Sequence, residues 1–180
     1  MALIKTAKSS VQIQDSELQR FKLDEASSDH ILDLLVSAYA KPQFSGLREL
    51  IQNGLDAAPG GQVMVTLPTS LDQILVVQDF GGGLTAEGFR AMIGSVGASD
   101  KRNDTTKIGC LGIGSLAALS FAEAMTMVSR QKKQKTTLHV YKDDSGKLGY
   151  TISGPEKDTS GEPDGMTVSV PVPEDMIEAV

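Results

Sequence analysis

The apolar and polar residues of positions 44–58, FSGLRELIQNGLDAA, alternate with the period of an α-helix. One side of this helix is apolar and consists of Leu47, Leu50, Ile51, Leu55 and Ala58. The other side carries the polar residues Glu49, Asn53 and Asp56. The pattern predicts a half-buried helix over Phe44–Ala58, ended by Pro59-Gly60-Gly61. Taken alone, it is typical of any helix packed on a core.

Strand-like patterns recur along the remaining chain. Gln62–Leu67 and Ile74–Gln78 are separated by a turn-like segment, which predicts an antiparallel hairpin. Further strands are predicted at Val11–Ile13, Phe21–Leu23, Ala124–Gln131, Thr136–Lys142, Gly149–Ser153 and Thr167–Val172. Helices are predicted at Asp29–Tyr39, Ala86–Ile93 and Leu116–Ala122. Gly94–Lys107 is polar and aperiodic, and it is therefore expected to be a mobile loop.

These elements predict an α/β two-layer sandwich, with a mixed, mainly antiparallel sheet and about three helices on one face. The 180 residues suffice for a single domain, residues 1–180. A hydrophobic content of 40% and a charged content of 22% are typical of a globular domain.

Charge and cysteine content narrow the classes of partner and compartment. The net charge of −6 disfavours a DNA-binding surface, which needs clustered Lys and Arg. The basic segment Arg130–Lys135 lies between two predicted strands and is interpreted as a solvated hairpin tip, with a phosphate patch as the alternative. The single cysteine, Cys110, excludes an intramolecular disulfide. With no transmembrane run and no secretory leader evident, the expected location is the cytoplasm.

Two glycine-rich segments carry the candidate chemistry. Asp79-Phe80-Gly81-Gly82-Gly83 follows a predicted strand, so a flat ring can approach the glycines while Asp79 accepts from an exocyclic amine. The alternative is a tight turn that Asp79 merely caps. Gly109-Cys110-Leu111-Gly112-Ile113-Gly114-Ser115 precedes a predicted helix, an arrangement that favours anions but lacks the Lys of a P-loop. His30 and His139 have no second ligand at zinc spacing.

In combination, these elements resemble the ATP-binding domain of the GHKL superfamily, the Bergerat-fold ATPases. The resemblance rests on Glu49, Asn53 and Asp56 on one helix, on Asp79 with its glycines, on the loop, and on Gly109 to Gly114. Gly165-Met166-Thr167-Val168 is similar to the family's late strand. The resemblance covers about residues 30–172, which it implies are the core of the domain. The superfamily includes gyrase B subunits, the ninety-kilodalton heat-shock chaperones, MutL proteins and histidine kinases. VTLPTSLDQILVVQDFGGGLT and IGCLGIGS resemble, more narrowly, the N-terminal part of the phage rIIA family.

The resemblance implies specific roles in binding ATP and Mg²⁺. It makes Glu49 the general base for hydrolysis, Asn53 the Mg²⁺ ligand, and Asp56 a structural or water-bridging acid. It places adenine on Asp79, Gly81 and Gly83, with Thr167 bonding through water. Met92 and Ile93 line the adenine pocket or simply pack in the core. The phosphates are expected on the loop residues Gly109, Gly112, Ile113, Gly114 and Ser115.

The resemblance further implies that Gly94–Lys107 is a lid whose closure drives homodimer or partner contacts, with ADP as the product of slow hydrolysis. Superfamily ATPases usually receive a basic residue from a following domain, and Lys101, Arg102 and Lys107 of the lid are the candidate substitutes here. The rIIA likeness implies a phage protein from a longer chain. Three alternatives stay open: a non-hydrolysing nucleotide switch, a histidine-kinase-like phosphotransferase, and a structural domain without nucleotide.

Overall fold

A computed structural model of the chain describes residues 2–5, 10–13, 19–20, 42–58, 60–95, 114–144 and 146–179. The strands are β1 (Ala2–Lys5), β2 (Ser10–Ile13), β3 (Gln19–Arg20), β4 (Val63–Thr66), β5 (Ile74–Asp79), β6 (Ala124–Gln131), β7 (Gln134–Lys142), β8 (Leu148–Lys157) and β9 (Gly165–Pro171). The helices are α1 (Pro42–Ala57), α2 (Ala86–Ser95) and two 3₁₀ helices, Gly114–Ser120 and Glu174–Ala179. The predicted strand Phe21–Leu23, the predicted helix Asp29–Tyr39, most of the expected lid and residues 108–113 lie outside the described residues.

The predicted α/β two-layer sandwich is confirmed. Over the described ranges, seven strands form one sheet in the order β3-β8-β7-β6-β9-β5-β4, and its neighbours are antiparallel. β1 and β2 form a separate antiparallel pair. The predicted first hairpin is β4 and β5, which pair from Val63 opposite Asp79 to Thr66 opposite Val76.

The two faces of the sheet differ in what covers them. We define the inner face as the one that carries Val77, Val168, Met127 and Leu138. These four residues lie opposite one another on adjacent strands, and all are buried. These side chains share one core with residues of both α-helices and the first 3₁₀ helix, namely Leu50, Phe89, Ile93, Leu116 and Leu119. The helices therefore cover the inner face. The outer face carries the alternate residues, including Val76, Ser169, Thr126 and His139.

Helix α1 confirms the helix predicted at Phe44–Ala58, although it begins two residues earlier, at Pro42. Proline suits the first turn because its missing N–H has no intrahelical partner there. Leu50 is buried as expected, but Leu55 is 44% exposed. In that turn Gly54 faces the sheet instead: an added Cβ would lie 2.9 Å from Val63 Cγ2 and 3.3 Å from Asp79 Cβ. The glycine thus lets α1 approach the end of β5 closely.

The predicted helix Leu116–Ala122 is a 3₁₀ helix over Gly114–Ser120. Within this helix the four residues from Leu116 to Leu119 are all buried. Their burial explains why the apolar run has no polar face. The predicted strand Gly149–Ser153 lies in the first half of the longer β8. Among the residues described, no helix has both the length and the apolar character needed to cross a membrane.

Candidate functional site

A cleft of about 500 Å³ lies between α1, the end of β5 and the start of the first 3₁₀ helix. It is also lined by the segment Gly81–Gly83 that follows β5, which we call the glycine turn and of which Gly82 and Gly83 reach the cleft. It collects residues that are far apart in the sequence. Of the residues singled out from sequence, seven line it: Glu49, Asn53, Asp79, Gly83, Met92, Gly114 and Ser115. The apolar part of the lining includes Val77, Leu84, Met127, Met166 and Val168.

One end of the cleft is polar. Glu49 and Asn53 are one turn apart on α1 and face the start of the first 3₁₀ helix. A Cβ added at Gly114 would lie 3.0 Å from Glu49 Oε2 and 3.8 Å from Asn53 Nδ2. Glycine at this position therefore allows the backbone to approach the acid and the amide, and it leaves room beside them. Glu49 Oε1 also lies 3.3 Å from Nη2 of Arg48.

The other end of the cleft centres on the carboxylate of Asp79. This residue is only 7% exposed to solvent. Oδ1 accepts hydrogen bonds from the backbone N–H of Gly81 (2.9 Å) and of Met166 (3.3 Å). Both hydrogen bonds that this carboxylate accepts from described residues go to Oδ1. Oδ2 is thus left to accept from a ligand, while two amides fix the orientation of the group.

The glycine turn is fixed to β6 by three contacts. The N–H of Leu84 donates to Ser129 Oγ at 2.5 Å, and Gln131 Nε2 donates to the carbonyl of Gly82 at 2.7 Å. Gly83 has a φ of +64°, and an added Cβ would lie 2.5 Å from the carbonyl oxygen of Arg130. Only glycine combines this conformation with this approach. The turn therefore has a defined position at the cleft.

Three of the expected site residues are not brought to the cleft. Asp56 is exposed and accepts a hydrogen bond from Gln52 Nε2 at 2.9 Å, on the outside of α1. Gly81 is not part of the lining, although its N–H holds Asp79. Thr167 points to the outer face, where its Oγ1 accepts from Arg130 Nη1 at 3.4 Å. Gly109, Gly112 and Ile113 lie outside the described residues.

Met166 takes the position at the cleft that the resemblance assigned to Thr167. Met166 and Val168 both line the cleft, since side chains two apart on a strand share a face. The apolar Val168, two residues after Met166, was the signal in the sequence that could have identified Met166 as inward-facing. Ser129 and Gln131, which hold the glycine turn, had no comparable signal because their partners are about 45 residues distant in sequence.

The interpretation of Arg130–Lys135 as a solvated hairpin tip is wrong for Arg130. Lys132 and Lys133 form the exposed turn, but the Arg130 side chain is only 18% exposed. Its Nε lies 3.3 Å from Asp158 Oδ2. The backbone N–H and the hydroxyl of Ser160 lower the pKa of Asp158, and the Arg130 guanidinium contributes in the same direction. Arg130 is therefore a structural residue of the outer face.

The donor set of the cleft fits a magnesium ion that is held mainly by a phosphate ligand. Over the part of the chain that the structure describes, no group of three His, Cys, Asp or Glu residues is placed to hold a metal. A single amide oxygen such as that of Asn53 suits Mg²⁺, which keeps several waters and takes its other ligands from phosphate oxygens. The cleft thus combines a hydrogen-bond acceptor in an apolar pocket with a polar end.

Comparison of the sequence with known protein families identifies one that matches most of the described part of the chain. The family model described as histidine kinase-, DNA gyrase B- and HSP90-like ATPase matches residues 41–161, about two thirds of the chain. The chaperone protein HtpG of Photorhabdus laumondii subsp. laumondii is 26% identical over 159 residues. That alignment covers 73% of this chain and 25% of the chaperone. The chain therefore spans about a quarter of the length of this relative.

Proposed function

Because the chain belongs to the histidine kinase-, DNA gyrase B- and HSP90-like ATPase family, we propose that its cleft binds Mg²⁺-ATP and supports slow hydrolysis to ADP. ATP binding is what the family membership supports directly. The observation that carries the assignment of the cleft is Asp79, a buried carboxylate held by two backbone amides through one oxygen only. The remaining oxygen accepts from the exocyclic amine of adenine, and the surrounding apolar side chains contact the ring.

The triphosphate runs toward the polar end of the cleft. Gly114 and Ser115 open the first 3₁₀ helix beside Glu49 and Asn53, so their backbone is suited to contact phosphate oxygens. By the family resemblance, Gly109, Gly112 and Ile113 continue the same phosphate loop. Asn53 then supplies its amide oxygen to Mg²⁺, which neutralises phosphate charge when it is bound.

Glu49 is the proposed general base. Its carboxylate lies one helical turn from Asn53, about 6 Å along the axis, and thus on the same side of the bound phosphates. At that place it accepts a proton from the attacking water as the water's oxygen bonds to the terminal phosphorus, while the bond from that phosphorus to the bridging oxygen of ADP breaks and ADP leaves. Asp56 lies outside the cleft, and its proposed contribution is restricted to hydrogen bonding on α1.

The experiment compares binding with turnover in two variants. We expect Glu49→Ala to keep the ATP-dependent rise in melting temperature and to lose ADP formation by about 100-fold or more. Asp79→Asn is expected to lose the rise itself, because an amide nitrogen in place of Oδ2 repels the amine. Glu87→Ala, which removes an exposed carboxylate from α2, is the matched control. ADP formation by Glu49→Ala at the parental rate would disprove the general-base role.

A non-hydrolysing nucleotide switch is the second candidate. None of the cleft-lining residues in the described part of the chain is Lys or Arg, so the phosphate charge has no side-chain cation there. The lid residues Lys101, Arg102 and Lys107 are the proposed sources of such a cation. ATP-induced stabilisation without any ADP formation would favour the switch over the ATPase.

Closure of the lid over ATP is proposed to drive a homodimer or partner contact. Size-exclusion chromatography with and without a nonhydrolysable ATP analogue tests this, because an unchanged elution volume argues against dimerisation. The narrower resemblance supports a further proposal, an rIIA-like phage protein that acts in the host cytoplasm in lysis control. Deleting its gene from a phage that encodes it should then change the timing of lysis.

A further inference from the structure

At the end of the cleft that centres on Asp79, where the adenine is proposed to bind, the described residues offer a single polar side chain. Among the described residues of the lining, the polar side chains are Glu49, Asn53, Asp79 and Ser115. Three of these lie at the polar end, around Gly114. The other side chains of the lining are aliphatic or thioether groups, among them Val77, Leu84, Met127, Met166 and Val168. These groups contribute contact area but no hydrogen-bond donor.

Asp79 itself offers one acceptor atom. Its Oδ1 already accepts from the N–H groups of Gly81 and Met166, so a base meets only Oδ2. A carboxylate oxygen of this kind selects a donor, such as an exocyclic amine. It has no proton to give to a ring nitrogen, which is an acceptor.

Met166 lies directly beside this carboxylate. Its N–H donates to Asp79 Oδ1, and its side chain lines the cleft. The hydroxyl that follows it, on Thr167, points to the outer face and accepts from Arg130. The alternation along β9 therefore places the thioether of Met166, and not the hydroxyl of Thr167, next to the site proposed for adenine.

We propose that, among the side chains that the structure describes, Asp79 alone recognises the nucleobase, through the exocyclic amine, and that Met166 offers the adjacent ring nitrogen N1 no hydrogen bond. Met166 is thus a specificity-determining residue. The inference rests on the proposed binding of ATP in this cleft. Binding of ATP by this chain then depends on the exocyclic amine and not on the atom at ring position 1.

The test measures the affinities of three nucleotides for the chain at one Mg²⁺ concentration by calorimetric titration. ATP carries both the amine and N1, 1-deaza-ATP replaces N1 by C–H, and purine riboside triphosphate lacks the amine. We expect ATP and 1-deaza-ATP to bind within about threefold of each other. We expect purine riboside triphosphate to bind roughly 10-fold or more weakly, because it loses a hydrogen bond to a charged acceptor.

Two single substitutions on β9 assign the effect to a residue. Met166→Thr introduces a hydroxyl beside Asp79, and we expect it to create a preference for ATP over 1-deaza-ATP of roughly fivefold, the worth of one neutral hydrogen bond. Thr167→Val removes the hydroxyl on the outer face, and we expect the same ratio of the two affinities as in the parent.

Each outcome has a defined meaning. A loss of 10-fold or more with 1-deaza-ATP in the parent would overturn the inference, and loss of that difference in Thr167→Val would show that Thr167 reads N1 instead. Equal affinity for purine riboside triphosphate would overturn it as well, although ATP binding would stand. Failure of ATP itself to bind would instead contradict the proposed function. The comparison in the parent decides the question even where Met166→Thr does not fold.

Discussion

On β9, Met166 and Val168 line the cleft, whereas Thr167 between them accepts a hydrogen bond from Arg130 on the other side of the sheet. The same alternation runs through the neighbouring strands. Inner-face residues such as Met127 and Leu138 are buried under the helices, while their chain neighbours Thr126 and His139 bond to each other on the outer face. One strand thus serves two environments, and a shift of one residue moves a side chain from one to the other.

The two faces of the sheet are therefore specified by different forces. The inner face depends on close packing, with the buried carboxylate of Asp79 at its rim. The outer face is less buried and depends on polar pairs, of which Arg130 with Asp158 and Thr126 with His139 are two. Substitutions on the inner face should therefore cost more stability than equivalent substitutions one residue away.

The largest expected effect is the loss of a core side chain. Leu138→Ala is expected to lower the free energy of unfolding by about 2–5 kcal/mol, because Leu138 is fully buried and a cavity would remain. Its neighbour on the outer face gives the matched control: Thr137→Ala is expected to cost about 1 kcal/mol or less. Urea denaturation of both variants measures the difference. Equal costs would contradict the division of the sheet into two unlike faces.

The next effect concerns the glycine turn at the cleft. Gly83→Ala should destabilise the domain by at least about 1–2 kcal/mol, since alanine disfavours the positive φ and its Cβ would meet Arg130. Gly82→Ala is the control, because a Cβ at Gly82 has nothing within 4 Å. The midpoint of thermal unfolding is the measurement. A Gly83→Ala protein as stable as Gly82→Ala would show that the turn is not held against β6.

A smaller effect of opposite sign is expected at the turn between β6 and β7. Lys132 and Lys133 both have positive φ, 52° and 63°, a conformation that disfavours side chains with a Cβ. Replacing the pair by Asn-Gly, which suits such a hairpin turn, should raise stability by about 1 kcal/mol. Urea denaturation checks this. A loss of stability would mean that the lysine side chains contribute contacts that outweigh the backbone strain.

The smallest effect is a pH dependence from the outer face. Burial lowers the pKa of His139 below its ordinary value of 6.5, and Thr126 Oγ1 lies 2.9 Å from its Nδ1. As the pH falls below about 6.5, the unfolded chain binds a proton that the folded protein does not, so stability decreases until the lowered pKa is reached. We expect His139→Gln to lose less stability than the parent between pH 7.5 and 5.5. Parallel pH profiles of the two proteins would contradict this.

Much of the fold was predictable because its local patterns agree with its tertiary environment. Helix α1 and the hairpin of β4 and β5 follow from apolar periodicity, and the structure shifts their boundaries by only one or two residues. The 3₁₀ helix at Gly114–Ser120 was predicted as a helix of a different type and start, since an entirely buried run has no polar face to reveal its period. The outer-face position of Arg130 was not predictable, because its partner Asp158 belongs to a separate loop.

The sequence by itself determined which residues bear chemistry. Glu49 and Asn53 share a helix face because of a spacing of four residues, and Asp79 ends a strand before three glycines. Only the tertiary structure decided which of the remaining candidates reach the cleft. Met166, and not the predicted Thr167, lines the cleft, and Asp56 lies outside it, exposed to solvent. The physical reason is that helix and strand periods are local, whereas the face that a strand turns toward the cleft is set by long-range pairing, here of β9 with β5 and β6.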